Sequence, residues 1–518
     1  MEINNKIFIV ISIFCGFTLY CVLLGGPSVS TDSVTYLDMA ENISAGKGII
    51  STLDNNAPVS HFPPLFPMLI SLFQSVGVTA LTASRMINSI CFAACTYILL
   101  IITFTISEKK MLFPMASLSL FVFSGIILQV FSAVWTEGFF IFTLFWAFYF
   151  LGIFREKQRY DILIASAIFA ALGVLDRYVG ITVIMASCLY LLFFLRRSFF
   201  EKIKYILVYG FISCLPLALW LIRNASHGLS TTNRSFIFHP FSIAHLRQLV
   251  RTFLFIFLPD SVIENIKDHR MAQLAVALVF IAFVAIFLIY FQKERAKIKF
   301  SCIIGSLTEI QKIFLLFAVV YFVFLVFSIS FIDANTPMCY RIIAPMYAAC
   351  IVFVPTILIR FFNVKSTTYL HNIASLVTIL FILSYAARAF IFCADMAING
   401  DGYSGKKWRN SEIIRMIRKS GKDIPVYSNG MDAIYFLTGR IEKGIPSKII
   451  STQAKANNDY ENMINRIRFD LKEKKGMLVY FYDIPICGIP DESEICNLIP
   501  LRKCFTNEEG SVYLYGGD

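Results

Sequence analysis

Apolar runs long enough to cross a bilayer recur along this chain, and they decide its fold class before any motif is read. Crossing as a helix takes roughly 17–25 consecutive apolar residues. Eleven such runs stand out, at residues 7–24, 83–106, 111–128, 138–154, 162–175, 179–195, 205–222, 272–291, 313–331, 342–361 and 372–393. Hydrocarbon offers no water to unpaired backbone groups, so each run must close its hydrogen bonds internally, as a helix does. Run 162–175 is short for a full crossing, which implies tilt, local thinning or partial re-entry. Composition agrees: 57% of the 518 residues are hydrophobic and 15% are charged, against about 25% charged in soluble domains. The expectation is a polytopic α-helical membrane protein of about eleven transmembrane helices.

The net charge of +12 is not a nucleic-acid signal, because the basic residues cluster in short loops between apolar runs. Five loops that alternation puts on one side, 107–110, 155–159, 196–204, 292–299 and 360–365, are all basic. The positive-inside rule makes them cytoplasmic. The N-terminus is then inside and the C-terminus outside. Little basic charge precedes the first run and no small-residue cleavage site follows it, so it reads as an uncleaved span. No P-loop, zinc spacing or RNA-binding signature occurs, which leaves nucleotide-driven chemistry without support.

The opposite face carries the chemistry. Residues 31–67 form a polar segment with Asp32, Asp38, Glu41, Asp54 and His61 but one basic residue, Lys47. Segments 129–137, 176–178, 223–270 and 332–341 share that side, as does everything from 395 on. The tail alternates amphipathic helical stretches with the apolar runs IPVY (424–427) and MLVYFY (477–482). That pattern predicts a small α/β unit. The domain plan is a transmembrane unit over 1–394, with an external catalytic loop over 26–67, and an extracytoplasmic α/β unit over 395–518. Cys487, Cys496 and Cys504 lie in the tail, where an oxidising compartment permits one disulfide among them; an unpaired buried set fits the sequence equally.

Several motifs, in order along most of the chain, carry a resemblance. They are Asp32–Ser33 with Tyr36–Leu37, Ala40, Gly46 and Gly48; FPPLFPMLISLF (62–73); WTEGFF (135–140); DRYVG (176–180); LWLIRN (219–224); YRIIAPMY (340–347); and VYSNGMDAIYFLTGR (426–440). Together they resemble the GT-C glycosyltransferases that use polyprenyl-phosphate-linked sugars. The nearest branch is that of bacterial relatives of protein O-mannosyltransferases and lipid A aminoarabinose transferases. The resemblance implies a bacterial cell-membrane enzyme with a GT-C-like fold. It would move a sugar from a polyprenyl-phosphate donor to a lipid, glycan or protein acceptor, with Asp32 as catalytic base.

Residue chemistry supports that role independently. Attack of an acceptor hydroxyl or amine on the anomeric carbon needs one carboxylate to take a proton. Phosphate leaves as a stable anion, so the acid partner required in glycoside hydrolysis is dispensable, and inversion is expected. The competing reading of Asp32 is a helix cap for residues 34–45. Ser33 stands where the eukaryotic mannosyltransferases have a second acid, which sets this chain apart from protein O-mannosylation. Supporting acids are sought in Glu137 and Asp176. The alternatives are an interfacial residue or ion-pair partner of Arg177 or Arg223 for Glu137, and a partner of Arg177 for Asp176. Arg177, Arg223 and Arg341 are the donor-phosphate candidates, since guanidinium groups bind phosphate in a bidentate way; snorkelling to headgroups is the alternative for each. Tyr36 and His61 are candidate sugar or acceptor contacts. Phenylalanines of the 139–150 and 314–331 stretches either line a groove for the polyprenyl tail or simply pack helices. His227, His239, His245 and His269 are irregularly spaced, so no metal site is assigned, and no cofactor is expected. Two rival classes remain. A transporter or flippase would show midplane acids, broken helices and inverted repeats, whereas here the acids crowd the external ends and no repeat is found. A non-catalytic assembly factor would work through its tail alone.

Overall fold

The computed structural model describes residues 2–107, 109–228, 232, 236–257, 307–362, 368–450, 455–484 and 488–517. Helices α1 (Glu2–Val22) and α2 (Thr31–Ser44) come first, followed by the hairpin β1 (Ile50–Ser51) and β2 (Ala57–Pro58), then α3 (Leu65–Gln74) and α4 (Ala80–Ile106). Next are α5 (Leu112–Val122), α6 (Gly125–Ser132), α7 (Glu137–Lys157), α8 (Tyr160–Asp176), α9 (Ile181–Phe193) and α10 (Phe199–Ser226). The set ends with α11 (Ile243–Phe257), α12 (Glu309–Phe331), α13 (Tyr340–Ile351), α14 (Val354–Phe362) and α15 (Thr368–Asn399).

Among the described residues six helices are long and apolar enough to cross a membrane: those of α1, α4, α7, α10, α12 and the 379–399 part of α15. The α5–α6 pair makes a seventh if its 56° bend is one broken span. The bend follows from Ser124, whose hydroxyl caps the new helix by accepting the Ile127 N–H at 3.4 Å. Runs 162–175 and 179–195 do become helices, α8 and α9, but of 17 and 13 residues. Run 342–361 divides into α13 and α14. Run 272–291 and His269 lie outside the described residues. The chain is thus a multi-pass membrane protein, with fewer full-length spans among the described residues than the eleven expected.

One contiguous core joins these helices, with Phe140, Phe145, Phe148, Phe314 and Phe317 fully buried in it. Phe148 meets Phe314 and Phe317 edge-on, at ring centroids of 5.1 and 5.6 Å. Half of the twelve phenylalanines proposed for a lipid groove therefore pack helix against helix, while Phe322 and Phe327 stay exposed. Tight helix contacts need glycine: a Cβ on Gly180 would come within 2.5 Å of the Gly173 backbone.

Beyond α15 the chain builds strands β3 (Val426–Ser428) and β4 (Lys443–Gly444), the β5–β6 hairpin (Ile449–Ile450, Lys455–Ala456), and β7 (Met477–Phe481), β8 (Leu501–Thr506) and β9 (Gly510–Tyr515). Sheet order is β4–β3–β7–β9–β8, parallel on one side of β7 and antiparallel on the other. Side chains alternate across a strand, and here neighbours go to opposite faces. Val426, Val479 and Val512 pack on α16 (Glu412–Lys419) and α17 (Met431–Thr438). Tyr427, Leu478 and Tyr513 pack on α18 (Tyr460–Glu473) and α19 (Glu492–Leu498). The tail is an α/β arrangement with helices on both faces of its sheet. Cys496 and Cys504 are free thiols, and Cys487 is outside the described residues.

Candidate active site

Asp32 enters the site from the first turn of α2, but it does not cap that helix. The capping box is Ser30 and Ser33, whose hydroxyl accepts the Ser30 N–H at 3.0 Å. Ser33 therefore has a local structural task. The Asp32 carboxylate instead accepts a hydrogen bond from Arg341 Nη1 at 2.6 Å.

Arg341, in the first turn of α13, reaches a second acid. Its Nε donates to Glu137 Oε1 at 2.5 Å. Arg177 pairs with the same carboxylate oxygen. The result is a continuous charge chain, Asp32–Arg341–Glu137–Arg177, drawn from four elements. Helix dipoles favour most of it: Asp32 and Glu137 sit at helix N-termini and Arg177 just past the C-terminus of α8. The Glu137 side chain is 1% exposed and the Asp32 side chain 35%. Of these two acids, Asp32 is therefore the one an incoming acceptor can reach.

The two residues before α7 each serve this chain. Trp135 lies under the Arg341 guanidinium, 4.4 Å from the ring centroid, and its Nε1–H donates to the Ser30 hydroxyl at 2.8 Å. Thr136 Oγ1 accepts from Arg177 Nη1 at 2.9 Å. Main-chain bonds between residue 28 and residues 132 and 134 hold this non-helical stretch against the entry to α2.

A cavity of about 450 Å³ opens on the charge chain. Six of the eight candidates line it: Asp32, Tyr36, His61, Asp176, Arg177 and Arg341. Tyr36 is buried against Phe62 and Phe66, and His61 packs on Phe62. Asp176 is fully buried, and neither carboxylate oxygen has a hydrogen-bond partner. Arg177, the alternative partner for Asp176, forms its ion pair with Glu137 and donates to Thr136 instead. Asp176 thus stands in the wall of a ligand-sized space with both carboxylate oxygens buried and, among the described residues, without a hydrogen-bond partner.

Arg223 departs from expectation. It is absent from the cavity wall and donates to the carbonyls of Val59 (3.0 Å) and Ile49 (3.1 Å) while lying over the Trp220 ring. It fastens the segment between α2 and α3 to α10. Tyr178 makes a similar fastening, donating to the Ser60 carbonyl at 2.6 Å. Among the described residues no three His, Cys, Asp or Glu side chains gather as a metal site; His245 bonds to Ser242 through Nδ1.

Residues 61–220 match the sequence model of the dolichyl-phosphate-mannose-protein mannosyltransferase family. That stretch holds His61, Glu137, Asp176 and Arg177, and excludes Asp32, Arg223 and Arg341. No curated protein matches the chain by sequence. Solved structures do match by shape. ArnT from Cupriavidus metallidurans bound to undecaprenyl phosphate superposes with a TM-score of 0.56 and 12% identity, covering 99% of each chain. The oligosaccharyltransferase AglB from Archaeoglobus fulgidus, in complex with an inhibitory peptide and a dolichol-phosphate, gives 0.50 and 12% over 93% of this chain and 69% of its own. A second Archaeoglobus fulgidus oligosaccharyltransferase structure, tethered to an acceptor peptide, gives 0.53 and 11%, covering 92% and 69%. The chain therefore has the GT-C fold of ArnT and AglB, with the mannosyltransferase family's signature across residues 61–220.

Proposed function

We propose that this protein is an integral membrane glycosyltransferase that moves a sugar from a polyprenyl-phosphate donor to a lipid, glycan or protein acceptor. The observation that carries the reading is the Asp32–Arg341–Glu137–Arg177 chain at a cavity of about 450 Å³. Asp32 takes the proton of the acceptor hydroxyl or amine as its oxygen or nitrogen bonds to the anomeric carbon. The bond from that carbon to the phosphate oxygen breaks on the opposite side, and the electron pair leaves with the polyprenyl phosphate. Arg177 and Arg341 hold that phosphate. A single displacement inverts the anomeric centre. With two guanidinium groups supplying the counter-charge, the reaction as proposed uses no cofactor.

Arg341 links binding to chemistry. Its guanidinium holds Asp32 at 2.6 Å, so an arriving phosphate competes with the carboxylate for the same donors. Binding of the donor thereby releases the base that the next step needs. Asp176, Tyr36 and His61 are assigned to sugar and acceptor contacts around the cavity.

Further parts of the reading are proposals of the same kind. The chain crosses a bacterial cell membrane about eleven times, with short helices such as α8 and α9 spanning where the bilayer thins around them. Its N-terminus is cytoplasmic and the α/β unit, residues 395–518, lies outside with the catalytic loop. The basic loops support this orientation.

The test is transfer in proteoliposomes supplied with a panel of polyprenyl-phosphate sugars and membrane glycolipid acceptors. Release of free polyprenyl phosphate together with a product heavier by one sugar supports the reading. Passage of the intact donor across the bilayer without cleavage would establish the transporter reading instead.

A further inference from the structure

The α/β tail does not hang free of the membrane unit; it grips the helix that carries Asp32. Its lead-in, residues 402–404, runs along residues 27–29 just before α2. The Tyr403 N–H donates to the Val29 carbonyl at 2.8 Å, and the Ser404 hydroxyl donates to the Pro27 carbonyl. Gly402 makes this approach possible. It sits at φ +58°, and a Cβ there would fall 2.2 Å from the Val29 oxygen.

Helix α17 then docks on α2 at two points. Asp432, in its first turn, comes close to the Thr31 hydroxyl and feels the charge of Asp32, the next residue in sequence. Thr31 Oγ1 also lies 3.4 Å from the Tyr403 hydroxyl. One turn further along α17, the Tyr435 hydroxyl donates to Asp38 Oδ1 at 2.8 Å. Asp38 is 2% exposed, and its carboxylate also accepts from the Thr52 N–H (2.7 Å) and Asn42 Nδ2 (3.2 Å). One buried carboxylate thus ties together α2, the segment following it and the tail.

We infer that α17 is a positioning element of the active site, with Tyr435, acting through Asp38, holding α2 so that Asp32 meets the acceptor. The inference rests on the glycosyltransferase reading above. Asp32 acts in the chemical step and its placement is set by α2, whereas the donor phosphate is held by arginines on other elements. Loosening the clasp should therefore slow turnover and spare donor binding. A small misplacement of a reacting group is enough to cost one to two orders of magnitude.

The experiment uses the full chain in nanodiscs. Tyr435→Phe keeps the ring and removes one hydrogen bond to a buried carboxylate. It should lower kcat about tenfold or more, change the donor KM less than about twofold, and raise hydrogen exchange over residues 31–44. Combined with Asp38→Asn, it should do no further harm than the worse single variant. Tyr427→Phe is the control, since Tyr427 donates to Asp470 at 2.6 Å within the α/β unit; it should leave kcat and exchange over α2 unchanged. Wild-type kcat and exchange in Tyr435→Phe would overturn the inference, and so would the same losses in Tyr427→Phe. If the wild-type chain transfers no sugar, the glycosyltransferase reading fails, while exchange over α2 still decides whether the clasp exists.

Discussion

Replacing Asp32 by Asn separates the two tasks that the structure joins at Arg341. The change is isosteric and leaves the helix start intact, because Ser30 and Ser33 make the capping box. Arg341 keeps Glu137 and the Trp135 ring, so the fold should hold. Turnover should fall by roughly 10²–10⁴, the usual worth of a general base. Donor affinity should move the other way. A charge-assisted hydrogen bond is worth about 1.5–3 kcal/mol, but the Asp32 side chain is 35% exposed, and solvent discounts the pair to about 1 kcal/mol. A phosphate that no longer competes with the carboxylate should then bind roughly fivefold tighter. Steady-state turnover in nanodiscs and a direct titration with polyprenyl phosphate, followed by quenching of tryptophan fluorescence, measure the two effects. Turnover within tenfold of wild type would remove Asp32 as the base. Unchanged or weaker phosphate binding would refute the competition for Arg341.

Other perturbations test other links. Glu137→Gln strips the carboxylate shared by two arginines, and breaking such a buried pair costs on the order of 3–5 kcal/mol; the apo melting temperature should drop by several degrees, and added polyprenyl phosphate should restore more of it than in wild type. Arg341→Ala should weaken polyprenyl phosphate binding at least about tenfold, whereas Arg223→Ala should leave that affinity within about twofold and instead raise proteolysis or exchange between residues 49 and 59, where its bonds lie. For Asp432, burial and the nearby Asp32 charge push the carboxyl from 3.8 up to about 6; Thr31, Tyr403, Asp32 and the Arg341 that pairs with Asp32 are the polar groups around it. A raised carboxyl binds a proton in the folded state that the unfolded state lacks between about pH 4 and 6, so stability falls as pH rises through that window. Asp432→Asn should therefore match wild type below about pH 4 and melt higher above pH 6, as thermal scans at stepped pH would record; a difference independent of pH would remove Asp432 as the titrating group.

The helical membrane architecture was legible because hydrocarbon permits so few solutions. A long apolar run must be a helix, and α4, α7 and α12 lie where the apolar runs are. Run length was a weaker guide to the number of crossings. Run 111–128 has no break in hydropathy, yet one serine hydroxyl serving as a cap at Ser124 starts a new helix and bends the path by 56°. The α/β tail was legible for a different reason: strands covered on both faces read as short continuous apolar runs, as at 424–427 and 477–482, where neighbouring residues fill opposite cores; the β8–β9 pair was not anticipated.

The site was legible in its charges and not in their pairing. Asp32, Glu137, Arg177 and Arg341 are conspicuous because ionised groups at the ends of apolar runs are costly unless paired or hydrated. Which acid meets which arginine depends on contacts between residues hundreds of positions apart, as with Asp32 and Arg341. Proximity in sequence misled for Asp176, beside Arg177 in the chain but without a hydrogen bond to it. Asp176 closes a helix and Arg177 leaves it in an extended conformation (φ −146°, ψ 134°), from which its guanidinium pairs with Glu137 and Thr136. Arg223 misled for the opposite reason, since its place at the end of a span suited a phosphate as well as it suits two backbone carbonyls. Trp135, Thr136, Tyr435 and Asp432 had no charge pattern to betray them. Their signal lay in the stretches WTE and MDAIY within the motif series, where Trp135, Thr136 and Tyr435 are uncharged and gain their meaning from partners across the fold. Asp38 shows the same principle most directly: a carboxylate 2% exposed in a stretch rich in acids can be tolerated only with donors around it, and one of those donors comes from the tail. A buried acid in a polar stretch is thus evidence that something folds down over it, and here α17 supplies one of the donors.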